Sequence, residues 1–105
     1  KTKENGPGTA PRGAGKDGEN KWSLAGRGLV GKLPEPDTTF TQEGEVIVKI
    51  SVDKDGNVNE AELAGGNISD KNTIQLAIKA AKKAKFTSAT SIKQTGTITY
   101  TFTFN

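Results

Sequence analysis

The chain has 105 residues, of which 15 are basic and 12 acidic, and it contains neither cysteine nor histidine. This length accommodates one small domain and no second hydrophobic core. Without cysteine and histidine there are no disulfides, no thiol chemistry and no use of the commonest general base, so we expect no enzyme, no metal and no cofactor. A net charge of +3 falls short of the dense basic patch that nucleic acid requires, and we expect no nucleic-acid partner.

Residues 1–21 are rich in glycine, proline and charged side chains and contain no large apolar residue. Such a segment cannot bury enough surface to offset the entropy lost on ordering. We therefore predict a disordered, flexible linker over residues 1–21 and a folded domain over residues 22–105. Because the chain lacks methionine and begins at Lys1, we expect it to be a piece of a longer protein, with any membrane anchor in the missing part.

The stretch GRGLVG, residues 26–31, has the glycine spacing of a dinucleotide-binding loop. Such a loop holds phosphate where a helix begins directly after it, because the free amides of the helix N-terminus bind the anion. Here Pro34 and Pro36 follow, and they disfavour a helix at this place. We interpret the glycines as part of a lead-in loop.

Four apolar residues near these glycines are too closely spaced for a linker: Trp22, Leu24, Leu29 and Leu33. Apolar side chains at that density need a surface to bury against. We predict that they cover an end of the sheet or its far face, where Ile47 would otherwise be exposed.

The run GEVIVKISVD, residues 44–53, alternates apolar and polar residues and predicts a half-buried strand. Asp55-Gly56 tolerates positive φ and predicts a two-residue hairpin loop to a second strand. That loop places Val48 opposite Leu63 on the core side and, in the same way, Ile50 opposite Ala61. A bulge near Asn59 would turn Val58 inward as well.

The hairpin tip is rich in oxygen ligands, as a calcium loop beginning at Asp53 would be. Such a loop requires glycine at its sixth position and glutamate at its twelfth. The chain has Val58 and Ala64 there. We therefore predict a solvated hairpin tip.

The segment from about 70 to 85 carries Ile74, Ala77, Ile78 and Ala81 at helical spacing and predicts an amphipathic helix. Ser69 or Asp70 can cap its N-terminus. Lysines crowd its last turns, where the helix dipole favours positive charge, and we interpret them as a solvated face.

The final run TGTITYTFTFN alternates threonine with large apolar residues and is typical of a strand. The pattern predicts an α+β fold of order β-β-α-β, in which a three-stranded antiparallel sheet packs on one helix and the strand of residues 45–53 lies in the centre. The last strand then keeps an open edge along 97–104, and an open edge is a template for a partner strand. The predicted partner-binding residues are Thr97, Ile98, Thr99, Tyr100, Thr101, Phe102 and Thr103.

Several motifs in their order resemble the TonB C-terminal domain family. They are Trp22-Ser-Leu-Ala-Gly-Arg27, Pro34-Glu-Pro36, GEVIVKISVDKDGNVNEAEL, the alanine- and lysine-rich helix ending in Lys85-Phe86, and GTITYTFTF. The resemblance implies a periplasmic domain of an energy transducer that grips a short extended peptide of an outer-membrane TonB-dependent transporter. It also implies an inner-membrane proton-driven motor complex that holds the missing N-terminal region.

Two alternatives remain open from the sequence. One is a module that binds peptidoglycan or another envelope polymer, through the lysines of the helix. The other is a domain that mainly self-associates through the same strand edge, so that a homodimer is among the expected partners.

Overall fold

The computed structural model describes residues 14–17, 20–90 and 93–104. The elements in chain order are β1 Ala14–Asp17, β2 Asn20–Ser23, β3 Gly44–Asp53, β4 Val58–Gly66, α1 Lys71–Ala81 and β5 Lys93–Phe102. The strands form one antiparallel sheet in the order β1-β2-β5-β3-β4, and α1 packs against it. The predicted α+β class is confirmed, but the described sheet has five strands, not three.

Strand β3 lies between β4 and β5, as predicted for the three strands read from the sequence. It pairs with β5 without a register shift from Gly44 opposite Phe102 to Asp53 opposite Lys93, and with β4 on its other side. Its alternating apolar side chains are fully buried, as the sequence pattern predicted: Val46, Val48, Ile50 and Val52.

The hairpin between β3 and β4 has the predicted register and a longer loop. The Asp53 amide donates to the Asn57 carbonyl at 3.0 Å, which leaves a three-residue loop ending at Gly56 with φ of 90°. Loops of this length commonly place glycine in the left-handed region. The extra residue is compensated by a bulge at Asn59, so that Ile50 lies opposite Ala61 as predicted.

The two other details of the hairpin prediction have different outcomes. Val58 packs partly buried against the core, which confirms the effect expected of the bulge. Leu63 does lie opposite Val48, but it is 47% exposed. It remains half solvated because β4 is an outermost strand of the described sheet and no strand lies beyond it.

Helix α1 is shorter than the predicted segment of about 70 to 85. Asp70 caps it, and the side chain accepts hydrogen bonds from the Thr41 hydroxyl and from Thr73, which lower the pKa of the Asp70 carboxyl. The helix ends because the next amides bond three residues back, from Lys83 to Ala80 at 3.0 Å. The chain is then extended, and the Phe86 amide donates to the hairpin loop.

Part of the predicted linker belongs to the sheet. Residues 14–17 and 20–21 lie in β1 and β2, within the segment that the sequence assigns to the linker. The reason is tertiary, because β2 obtains its backbone hydrogen-bond partners from the outer edge of β5. Residues 1–13 and 18–19 of the predicted linker lie outside the described residues.

The four apolar residues of the lead-in segment are buried: Trp22, Leu24, Leu29 and Leu33. They belong to the same core as the helix and β3, and the Trp22 ring meets Phe86 edge-on with centroids 5.4 Å apart. They therefore extend the helix side of the sheet and do not cover the far face, where Ile47 is half-buried.

Tyr100 generates a stability prediction. Its side chain is fully buried, and its hydroxyl has no hydrogen-bond partner among the described residues. An unpartnered buried hydroxyl costs about 1–3 kcal/mol, so we expect Tyr100→Phe to raise the free energy of unfolding by about 1 kcal/mol in urea titrations. Tyr100→Ala, the packing control, should lower it by about 3–5 kcal/mol.

The same tyrosine should contribute a pH dependence. Burial raises the pKa of Tyr100 above its usual value of 10.0. The neutral phenol is thus favoured in the folded state, and this stabilising term is complete below pH 10 and lost as the pH rises above it. The advantage of Tyr100→Phe over the parent should therefore grow between pH 9 and 11. A Tyr100→Phe variant less stable than the parent would show that the hydroxyl has a partner.

Candidate functional site

The predicted partner-binding residues, Thr97 to Thr103, lie in β5 and directly after it. The large side chains face the core and are buried: Ile98, Tyr100 and Phe102. The threonines at 97, 99 and 101 lie on the opposite face and are half-buried, whereas Thr103 is exposed. The strand thus has the two faces that its alternation predicted.

The backbone of β5 presents alternate amides to its two edges. The Thr101 amide donates to the Asn20 side-chain oxygen at 2.9 Å, on the β2 side of the strand. Because amides alternate along a strand, that of Thr99 also points towards β2 and that of Tyr100 towards β3. Proline at position 100 would remove a bond to the central strand, and proline at 101 a bond at the outer edge.

The expectation of an open edge along 97–104 is wrong for its first part. Strand β2 pairs with this edge, placing Lys21 opposite Thr99, Trp22 opposite Ile98 and Ser23 opposite Thr97. The prediction counted three strands, with residues 45–53 in the centre, and so left no strand to cover the other side of the last one. The covering strand instead comes from the segment before β3.

Two buried apolar side chains, one in β2 and one directly after it, pack this part of the chain against the core. Trp22 is 6% exposed and Leu24 1% exposed. Gly96 of β5 makes room for Leu24, since a Cβ added at Gly96 would lie 2.3 Å from the Ser23 carbonyl oxygen and 2.8 Å from Leu24 Cδ1. The glycine in the last strand is therefore required by the lead-in strand.

Arg27 fixes the chain directly after β2. It is fully buried; its Nε donates to Gln94 Oε1 at 2.8 Å, and its Nη1 donates to the carbonyls of Asp53 at 2.6 Å and Thr87 at 3.2 Å. A buried guanidinium needs such acceptors, because an unsatisfied one is costly. Sequence reasoning missed this role, although an arginine within the apolar run WSLAGRGL is a signal for it.

Strand β4, at the other side of the sheet, has features that oppose strand addition. It is bulged at Asn59 and at Ala64, and it carries exposed Glu60 and Glu62 between the bulges. Bulges and charges on an outermost strand prevent another strand from pairing with it. Of the two long strands flanking β3, β5 is the regular one.

The hairpin tip is organised by a lysine. Asp53 Oδ1 accepts from the amides of Asn57 at 2.9 Å and Asp55 at 3.0 Å, and the Asn57 bond is the main cause of the lowered pKa of the Asp53 carboxyl. Lys85 Nζ donates to the Asp55 carbonyl at 3.0 Å and to Asn57 Oδ1 at 2.8 Å. The loop oxygens thus face an ammonium group of the chain itself.

Two lysines near the C-terminal end of α1 lie close to acidic residues. Lys79 and Lys83 border a shallow pocket of about 90 Å³ whose other wall carries Glu35 and Asp37. A pocket of this size and mixed charge offers little to an anionic polymer.

Within the described ranges, no helix is long and apolar enough to cross a membrane.

The chain matches the family model described as Gram-negative bacterial TonB protein C-terminal over residues 35–105. The match spans β3, β4, α1 and β5 and begins after β2 and Arg27. The family is one of periplasmic interaction and energy-transduction domains. Comparisons with curated proteins and with solved structures give no match.

The space that Gly96 leaves for Leu24 leads to a second stability prediction. Gly96→Ala should lower the free energy of unfolding by about 1–3 kcal/mol, as overpacking does, and should shift the emission of Trp22 to longer wavelength by loosening β2. Gly65→Ala is the matched control, because a Cβ there meets only Ile47 side-chain atoms, at 3.6 Å and beyond. Equal stability of the two variants would show that Leu24 does not depend on Gly96.

Proposed function

Because the chain belongs to the family of Gram-negative bacterial TonB protein C-terminal domains, we propose that it is the periplasmic domain of a TonB-like energy transducer. In this proposal the domain binds a short extended peptide of an outer-membrane TonB-dependent transporter by strand addition. It passes on energy of the proton gradient that an inner-membrane motor complex delivers through a region N-terminal to this chain. A membrane anchor would lie in that region.

We place the transporter peptide on the outer edge of β5, at Thr97 to Thr103, in exchange with β2. The observation that carries this proposal is that the edge already pairs with a short strand from a distant part of the chain. β5 itself pairs with β3 along its whole length without a bulge. Such a strand offers the regular row of amides and carbonyls that strand addition requires.

The free energies of exchanging β2 for the peptide favour weak and reversible binding. About five main-chain hydrogen bonds contribute roughly 3–7 kcal/mol in total, at about 0.5–1.5 each, and micromolar affinity requires about 8 kcal/mol. Releasing Trp22 and Leu24 from the core costs a further ~1.5–3 kcal/mol for each side chain. The peptide must therefore replace those side-chain contacts, and it can dissociate after force is transmitted.

A disulfide lock tests the exchange. Lys21 and Thr99 lie directly opposite each other, and opposed residues of antiparallel strands are about 4.5–5.5 Å apart at Cα, within the range of a disulfide. The chain has no native cysteine, so Lys21→Cys/Thr99→Cys introduces the only thiols. We expect oxidation to weaken binding of a transporter plug peptide at least about tenfold and reduction to restore it, by isothermal titration calorimetry.

The matched control locks the other side of β3. Lys49 and Glu62 are also opposed, so Lys49→Cys/Glu62→Cys places the same crosslink between β3 and β4. Its oxidation should leave peptide binding unchanged, because β2 stays free to leave. Equal affinity of the oxidised and reduced Lys21→Cys/Thr99→Cys variant would refute pairing on the β5 edge.

A further inference from the structure

We infer that β2 is an internal ligand of the β5 edge and that its side chains give the pattern of the partner peptide. That partner is an extended peptide with a large aromatic residue at one position and a leucine-sized apolar residue two positions later. The inference rests on the proposed function and adds to it the side chains that the site selects.

Two side-chain sites lie along the edge of β5, and we call them seats. The first seat accepts the aromatic residue. Trp22 lies opposite Ile98 and packs edge-on against Phe86 at 5.4 Å between ring centroids, with an interplanar angle of 65°. Edge-to-face geometry is favourable for aromatic pairs. Its neighbours Lys21 and Ser23 are exposed on the other face of the strand. The seat therefore selects one face of an added strand.

The second seat accepts the smaller apolar residue. It is formed by Gly96, the one residue of β5 whose missing side chain leaves space for Leu24 Cδ1. The next core-facing residues along β5 are large: Ile98, Tyr100 and Phe102. The spacing of the two seats along β5 fits side chains at positions i and i+2 of an antiparallel strand, which is the Trp22 to Leu24 spacing.

The family comparison separates the seats from their occupant. Phe86, Gly96 and Ile98 lie within the matched residues 35–105, whereas Trp22 and Leu24 lie before them. The site thus belongs to the family core, and a flanking segment of this chain fills it. Because β2 is part of the same chain, it competes for the site at a high effective concentration. The apparent affinity of a free peptide is then its intrinsic affinity multiplied by the fraction of molecules in which the site is open.

The test uses a capped peptide copied from residues 20–25, Asn-Lys-Trp-Ser-Leu-Ala. Trp22 is the chain's single tryptophan, so in full-length Trp22→Ala or Trp22→Phe protein the peptide carries the sole indole. We expect the emission of the peptide to shift to shorter wavelength when it binds Trp22→Ala. The peptide should bind Trp22→Ala at least about tenfold more tightly than it binds Trp22→Phe. In Trp22→Phe the chain's own ring still fills the seat.

A second peptide controls for the face of the strand. Asn-Lys-Ser-Trp-Leu-Ala has the same composition but carries the indole on the other face, and it should bind Trp22→Ala more weakly. If Trp22→Ala does not fold by circular dichroism, Trp22→Phe/Leu24→Ala replaces it, since it opens the second seat and keeps a ring in the first. Equal affinity of the two peptides, or of the open and filled variants, overturns the inference.

The outcome is independent of the disulfide test. If the copied peptide does not bind while oxidation of Lys21→Cys/Thr99→Cys still blocks the transporter peptide, strand exchange stands and the side-chain pattern is wrong. If the copied peptide binds and the lock has no effect on the transporter peptide, the seats exist and the transporter binds elsewhere.

Discussion

The pairing of β3 with β5 is the constraint on which the rest of the structure depends. It joins two distant segments along their full length and sets which face of both strands is buried. On that face lie the valines of β3 and the large side chains of β5, so the helix must pack there. The same pairing decides where Trp22 can be buried, because the inward face of β2 continues the inward face of β5.

The short extended segment after the helix connects this sheet to the lead-in loop. The Phe86 amide donates to the hairpin loop at 2.9 Å, the Thr87 amide to the Gly28 carbonyl at 2.8 Å, and the Val30 amide to the Lys85 carbonyl at 2.8 Å. These three bonds hold the loop after β2 and do not involve the edge of β5 along residues 97–103. In the proposed strand exchange, β2 would leave that edge while these bonds keep the following loop in place, near enough for β2 to return.

The elements that the sequence predicted are those whose own pattern specifies them. Alternation specified β3 and β5, helical spacing specified α1, and Asp55-Gly56 with the bulge at Asn59 specified the hairpin register. Strand β2 could not be predicted, because its sequence is short and polar around Trp22 and its strand character comes from the edge of β5. The complementarity of Leu24 and Gly96 joins residues far apart in sequence, and no local pattern reveals it.

The two sides of the sheet solve the problem of unpaired edges in different ways. β4 is protected permanently by bulges and acidic side chains, and the outermost strand beyond β2 is β1, with only four residues. Bulges or charges on β5 would also have excluded a partner strand, since they act on any strand that approaches. In the proposed exchange, β2 covers the edge until a partner strand displaces it, which avoids this conflict. It keeps the edge from pairing with a second copy of the chain, so self-association through β5 must also displace β2 and overcome the same competition as any other partner.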